Sequence, residues 1–229
     1  MSIADNISSL KKETGTRKVT LIAVSKTKPV EEIREAYAAG QRLFGENMVQ
    51  ELVEKQEHLP KDIQWHLIGH LQSNKVKYIA PFISMIQSVD SLKLLQEIDK
   101  HAEKSNRVID CLLQIYIADE ETKYGLGFDE AIDLLRSENL KVLKHIRIRG
   151  LMGIATNTDN EKQIKEEYYE LKTFFDGIKQ SFFPGDAAFD TLSMGMSSDY
   201  KIAMEQGSTM VRLGSTIFGQ RVIKHWRNN

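Results

Sequence analysis

Short apolar runs alternate along the chain with longer windows in which apolar positions recur every three or four residues. The runs are VTLIAVS (19–25), RLFGEN (42–47), QWHLIG (64–69), ISMIQSV (83–89), VIDCLLQIYI (108–117), IRIRGLMGI (146–154), FDTLSMG (189–195) and MVRLG (210–214). Their length and aliphatic content are those of strands buried on both faces, as in parallel sheets. Between them, Val30, Ile33 and Tyr37 mark a helix face that Gly40 ends, and Pro29 suits the first turn of that helix. Phe128, Ile132 and Leu135 mark a second face, and Ile164, Tyr168, Leu171, Phe175 and Ile178 mark a third, longer one. Eight strands alternating with helices predict parallel βαβ units, and hence an α/β fold. A chain of this length is expected to close them into a single (β/α)8 TIM barrel over residues 1–229, with an open doubly wound sheet as the alternative. No repeat, low-complexity segment or Pro/Gly/Ser-rich linker divides it.

Charge and composition narrow the partners. The chain has 31 basic and 32 acidic residues, interspersed, for a formal net charge of −1. No large basic face results, which argues against nucleic acid as a partner. No apolar run approaches the roughly 20 residues that span a bilayer, and the start MSIADNISSLKKE has no signal-peptide core, so no membrane contact and a cytoplasmic location are expected. The single cysteine, Cys111, lies in a strand-like run and reads as a small core hydrophobe. His66, in WHLIG, is a conceivable base but is more simply a satisfied core histidine.

In a parallel barrel the chemistry gathers where the strands end. Lys26 and Lys28 follow the first strand, Asn47 the second, and the segment ADEETKYGLG the fifth. A lysine emerging directly from a buried strand has a rigid base and partial desolvation, conditions that suit Schiff-base formation. After the seventh strand, Ser197 and Ser198 precede Asp199, the N-cap of a helical window ending at Gly207; after the eighth come Gly214, Ser215 and Thr216. Two such turns on adjacent strands aim N–H groups and hydroxyls at one point, where barrels commonly bind phosphate. Plain capping chemistry gives the same pattern. A Schiff-base lysine with a phosphate cup fits pyridoxal 5′-phosphate (PLP), and also a sugar-phosphate aldolase. Arg212, of the same inward parity as Gly214, separates the two. A guanidinium always carries its protons, so against a pyridine nitrogen it donates and disfavours a protonated ring. An aldolase has no use for that.

The segments AVSKTKP, FGEN followed by VQE, WHLIGHLQSNK, ADEETKYGLG, RGLM, LSMGMSSD and GSTMVRLGSTIFG closely resemble the pyridoxal phosphate homeostasis protein family, also called YggS or PROSC, over almost the whole chain and in order. The resemblance implies a fold-type III PLP barrel similar to the cofactor domain of alanine racemases, with the Schiff base on Lys26. It implies phosphate contacts from Met196, Ser197, Gly214 and Ser215, Arg212 at the pyridine nitrogen, and Asn47 at the pocket. It links Lys28, Glu120 and Lys123 to cofactor handling. Two departures stand out: Met48 replaces the usual aromatic after FGEN, and the tail QRVIKHWRNN replaces an acidic-aromatic ending.

Racemases of the related fold add a C-terminal β domain whose tyrosine supplies the opposing acid/base; here 15 residues follow Gly214, and that domain is expected to be lacking. A two-base racemase needs groups on both faces of its substrate. The expectation is therefore a protein that holds, buffers and delivers PLP without substantial turnover, as a monomer or weak dimer, to apo forms of PLP-dependent enzymes. A fold-type III racemase-like enzyme is the alternative.

Overall fold

The computed structural model describes residues 2–118 and 124–220. Eight parallel strands close in sequence order into a barrel: β1 (Thr20–Val24), β2 (Leu43–Glu46), β3 (Gln64–Leu67), β4 (Met85–Val89), β5 (Ile109–Ile115), β6 (Ile146–Gly153), β7 (Thr191–Met196) and β8 (Met210–Leu213). β8 closes on β1 with Thr20 opposite Met210 and Ile22 opposite Arg212. Seven strands lie within their expected runs, trimmed by one or two residues at most ends, and β7 runs one residue past its expected end at Gly195, to Met196. The open-sheet alternative is thereby excluded.

Ten helices are found among the described residues: α1 (Ile3–Thr16), α2 (Val30–Ala38), α3 (Val49–His58), α4 (Val76–Ile79), α5 (Leu92–Lys104), α6 (Phe128–Arg136), α7 (Glu138–Lys141), α8 (Glu161–Phe182), α9 (Tyr200–Glu205) and α10 (Ser215–Phe218). The predicted faces pack inward: Ile164, Tyr168, Leu171, Phe175 and Ile178 of α8 are all buried. Pro29 sits one position earlier than the first turn, as the N-cap of α2, with φ −68° already suited to the helix. Gly40 follows α2 at φ +86°, the left-handed conformation that ends helices and that glycine adopts without a Cβ clash. α1 carries no strong apolar stripe, and the sequence reading did not identify it. It starts with a capping box in which Ser2 and Asp5 satisfy each other's backbone N–H groups.

Strand alternation creates two apolar layers. Leu21 and Ala23 of β1 join the large cluster between barrel and helices, whereas Ile22 joins Met85, Leu112, Met152 and Met210 inside the barrel. Cys111 is fully buried in the outer cluster, and burial pushes its thiol pKa up, so it is a core residue as expected. Inward parity continues from Ile22 through Val24 to Lys26, which places that lysine over the barrel mouth. No helix among the described residues is long and apolar enough to cross a membrane.

Candidate functional site

The C-terminal mouth of the barrel holds a cavity of about 520 Å³, a size suited to a cofactor or small ligand. Lys26, Lys28, Asn47, Met196, Ser197, Arg212, Gly214 and Ser215 all line it. These residues come from four strand ends, those of β1, β2, β7 and β8, and barrel closure brings them together. Glu120 and Lys123 lie outside the described residues, as does the tail beyond Gln220. Val24, Ile68 and Ile154 supply apolar wall that the sequence reading did not single out. Their inward parity was the available signal, since Ile68 stands two residues after the inward His66.

The two lysines differ in their surroundings. Lys26 is half-buried. The Lys28 ammonium donates to the Phe218 carbonyl at 2.9 Å, lies 3.3 Å from Glu32 Oε2, and sits 6.0 Å from the Phe218 ring centroid. Lys28 thus ties the start of α2 to the end of α10. Met48 is 59% exposed and is not among the described residues that line the cavity.

The turns after β7 and β8 converge as expected. Gly214 N–H and Thr216 N–H both donate to the Ser197 hydroxyl oxygen, at 3.1 and 3.4 Å, so two backbone donors address one acceptor position. Asp199 stands at the N-cap of α9 but does not cap it with its side chain. Its Oδ1 instead accepts from Met196 N–H and from the Tyr168 hydroxyl, both at 2.8 Å. The buried phenol needs an acceptor, and the carboxylate in turn fixes the turn carrying Met196 and Ser197. Burial, with the Asp199 charge second, raises the Tyr168 pKa, keeping it a hydrogen-bond donor.

Arg212 rises from the interior of β8 to the cavity floor and is 4% exposed. Its Nη1 donates to Ser193 Oγ at 2.6 Å and its Nη2 to the Gly153 carbonyl at 2.9 Å. Burial lowers its pKa from the ordinary value, but a guanidinium remains charged and donor-only. His66 is buried inside the barrel with Gln87 on its Nδ1 at 2.8 Å, a core histidine that does not line this cavity. Among the described residues no cluster of His, Cys, Asp or Glu could hold a metal ion.

Residues 1–222 match the family model described as the alanine racemase N-terminal domain. A pyridoxal phosphate homeostasis protein of Pasteurella multocida is 42% identical over 208 residues, which is 89% of this chain and 87% of the relative. One of Escherichia coli is 38% identical over 207 residues, 89% of this chain and 86% of the relative. Among solved structures, PipY of Synechococcus elongatus with PLP bound superposes with a TM-score of 0.85 at 37% identity, covering 95% of this chain and all of that one. An alanine racemase of Clostridium difficile, 15% identical, superposes with a TM-score of 0.67 over 95% of this chain and 57% of its own length; the likeness is one of fold.

Proposed function

Because the chain belongs to the pyridoxal phosphate homeostasis protein family, we propose that it binds PLP at the C-terminal mouth, covalently through Lys26, and serves as a reversible store that passes the cofactor to apo-enzymes. When bound, PLP supplies an aldehyde that condenses with an amine, a phosphate dianion and a pyridine ring. The donor set fits each part. Lys26 presents an amine at the end of β1, the N–H groups of Gly214 and Thr216 converge on one acceptor position, and Arg212 brings a fixed donor to the floor.

The observation that carries the storage role is the makeup of the wall. Among the described residues lining the cavity, the titratable side chains are Lys26, Lys28 and Arg212, with no tyrosine, histidine or carboxylate. Lys28 is engaged with Phe218 and Glu32. Beyond Lys28 the wall offers a bound substrate no second acid or base, and Arg212, a donor with no lone pair, would not support a protonated pyridine ring if it faced the ring nitrogen. Lys26 therefore holds the group, and the remainder of the wall orients it.

The test is the absorbance spectrum of the purified protein with PLP, before and after borohydride, for the wild type and Lys26→Ala. The wild type should show a lysine-bound chromophore that borohydride fixes to the chain, and Lys26→Ala should lose it. A stoichiometric linkage retained in Lys26→Ala would move the assignment to another lysine. Rapid PLP-dependent exchange of amino-acid α-hydrogens in heavy water would instead establish an enzyme.

A further inference from the structure

A column of buried polar side chains runs through the barrel interior beneath this pocket. Arg212, Ser193, Gln87 and His66 stand on β8, β7, β4 and β3, each at most 4% exposed. Arg212 Nη1 donates to Ser193 Oγ at 2.6 Å, Ser193 Oγ to Gln87 Oε1 at 2.6 Å, and the Gln87 amide nitrogen lies 2.8 Å from His66 Nδ1. His66 lines a second cavity, of about 420 Å³, at the N-terminal mouth. The column thus joins the two ends of the barrel.

The guanidinium sets the direction of every bond. It has no lone pair to offer, so Ser193 must accept. The single hydroxyl proton of Ser193 then goes to Gln87 Oε1, and the Gln87 NH₂ faces His66. An NH₂ group there requires a bare Nδ1, which puts the imidazole proton on Nε2. Turning the amide over would leave the Ser193 proton without an acceptor in the column, and would require the opposite tautomer, with Nδ1–H donating to Oε1. Burial lowers the His66 pKa to about 4, in keeping with a neutral ring.

We propose that Ser193, Gln87 and His66 are positioning residues for Arg212, forming one column whose polarity is set at the pocket and appears at the opposite mouth as the Nε2–H tautomer of His66. An unsupported arginine side chain samples many rotamers; Ser193 and the Gly153 carbonyl hold both terminal nitrogens of this one. The column follows from hydrogen bonds alone. Its consequence for cofactor binding rests on the PLP reading above.

Two measurements test the two parts separately. In ¹⁵N-labelled protein without PLP at neutral pH, long-range ¹H–¹⁵N spectra should show His66 as the neutral Nε2–H tautomer. In Gln87→Glu both carboxylate oxygens accept, so His66 should turn to Nδ1–H or to imidazolium. A wild-type Nδ1–H ring overturns the column whether or not that variant folds, as does an unchanged tautomer in folded Gln87→Glu. Loss of the Ser193 hydroxyl bond to a charged donor should weaken PLP binding about tenfold in Ser193→Ala and shift the absorbance of the bound cofactor, with Ser193→Thr close to wild type. Unaltered affinity and spectrum in Ser193→Ala would remove the positioning role. If the wild type binds no PLP at all, the PLP reading fails while the tautomer result stands by itself.

Discussion

Lys55, on α3, reaches beneath the loop that carries Lys26 and donates to the Ser25 carbonyl at 2.8 Å. Its ammonium also bonds Glu46 Oε1 at 2.8 Å and Glu51 Oε1 at 2.6 Å, using all three of its donors. Glu51 Oε1 in turn accepts from Thr27 N–H at 2.6 Å. The backbone on both sides of Lys26 is therefore held by one buried charged group and its partner. The clamp lies outside the barrel, between β2 and α3, and leaves the inward face to the pocket.

Replacing Lys55 by Met should leave the Glu46 carboxylate buried without its counter-charge and cost about 3–5 kcal/mol. Burial already raises the Glu46 pKa, and Lys55 is the main opposing influence. Urea unfolding measures the loss. The double variant Glu46→Gln/Lys55→Met should recover part of it, and no recovery would mean that the ion pair is not the source.

Thr27 follows Lys26 in a left-handed conformation, φ +67°, which a β-branched residue rarely adopts. Asparagine tolerates that region better, so Thr27→Asn should raise stability by about 1 kcal/mol. A fall in the urea midpoint would show that the threonine side chain contributes more than its strain costs.

His66 stays neutral in the native protein down to about pH 4, against about 6.5 in the unfolded chain. Between these values the unfolded chain binds the extra proton, so stability rises with pH. The contribution is complete above pH 6.5 and is lost as pH falls through the window, by about 3 kcal/mol in all. Gln87 is the hydrogen-bond partner of the ring; Asp110 and Arg149, in the same lower cavity, pair with each other at 3.0 Å. Unfolding curves across this range should be flatter for His66→Gln, and equal slopes would contradict the assignment.

A Cβ on Gly69 would lie 2.3 Å from the Asn47 carbonyl oxygen, closer than any real contact, so β2 and β3 must part to admit it. Gly69→Ala should destabilise by about 1–3 kcal/mol and displace Asn47 at the pocket. A melting curve with a PLP titration checks both, and an unperturbed protein would show that the loop yields freely.

The barrel was legible because strands buried on both faces become uninterrupted apolar runs, while helices packed on one face keep a stripe; β1 and α8 show the two cases. The pocket was legible because inward parity carries through the strand ends, so Lys26, Arg212 and Gly214 could be placed by counting. Less could be read where a residue's partner comes from a distant element. Glu51 and Lys55 look like an ordinary solvated pair on α3, and only the close approach of β1 makes them a buried clamp. Asp199 looks like a helix cap, yet the hydroxyl of Tyr168, 31 positions away, claims its carboxylate.

Local sequence alone determined the eight strand runs, the three striped helix faces, the inward parity of the strand ends and the family pattern, because these depend on neighbours within a few residues. The tertiary structure decided which polar groups meet: Gln87 and Ser193 are 106 positions apart and become hydrogen-bonded when the eight strands close. A buried donor must find an acceptor wherever the fold brings one. That demand orients Arg212 beneath the pocket and the backbone around Lys26, and it acts through contacts that only the closed barrel creates.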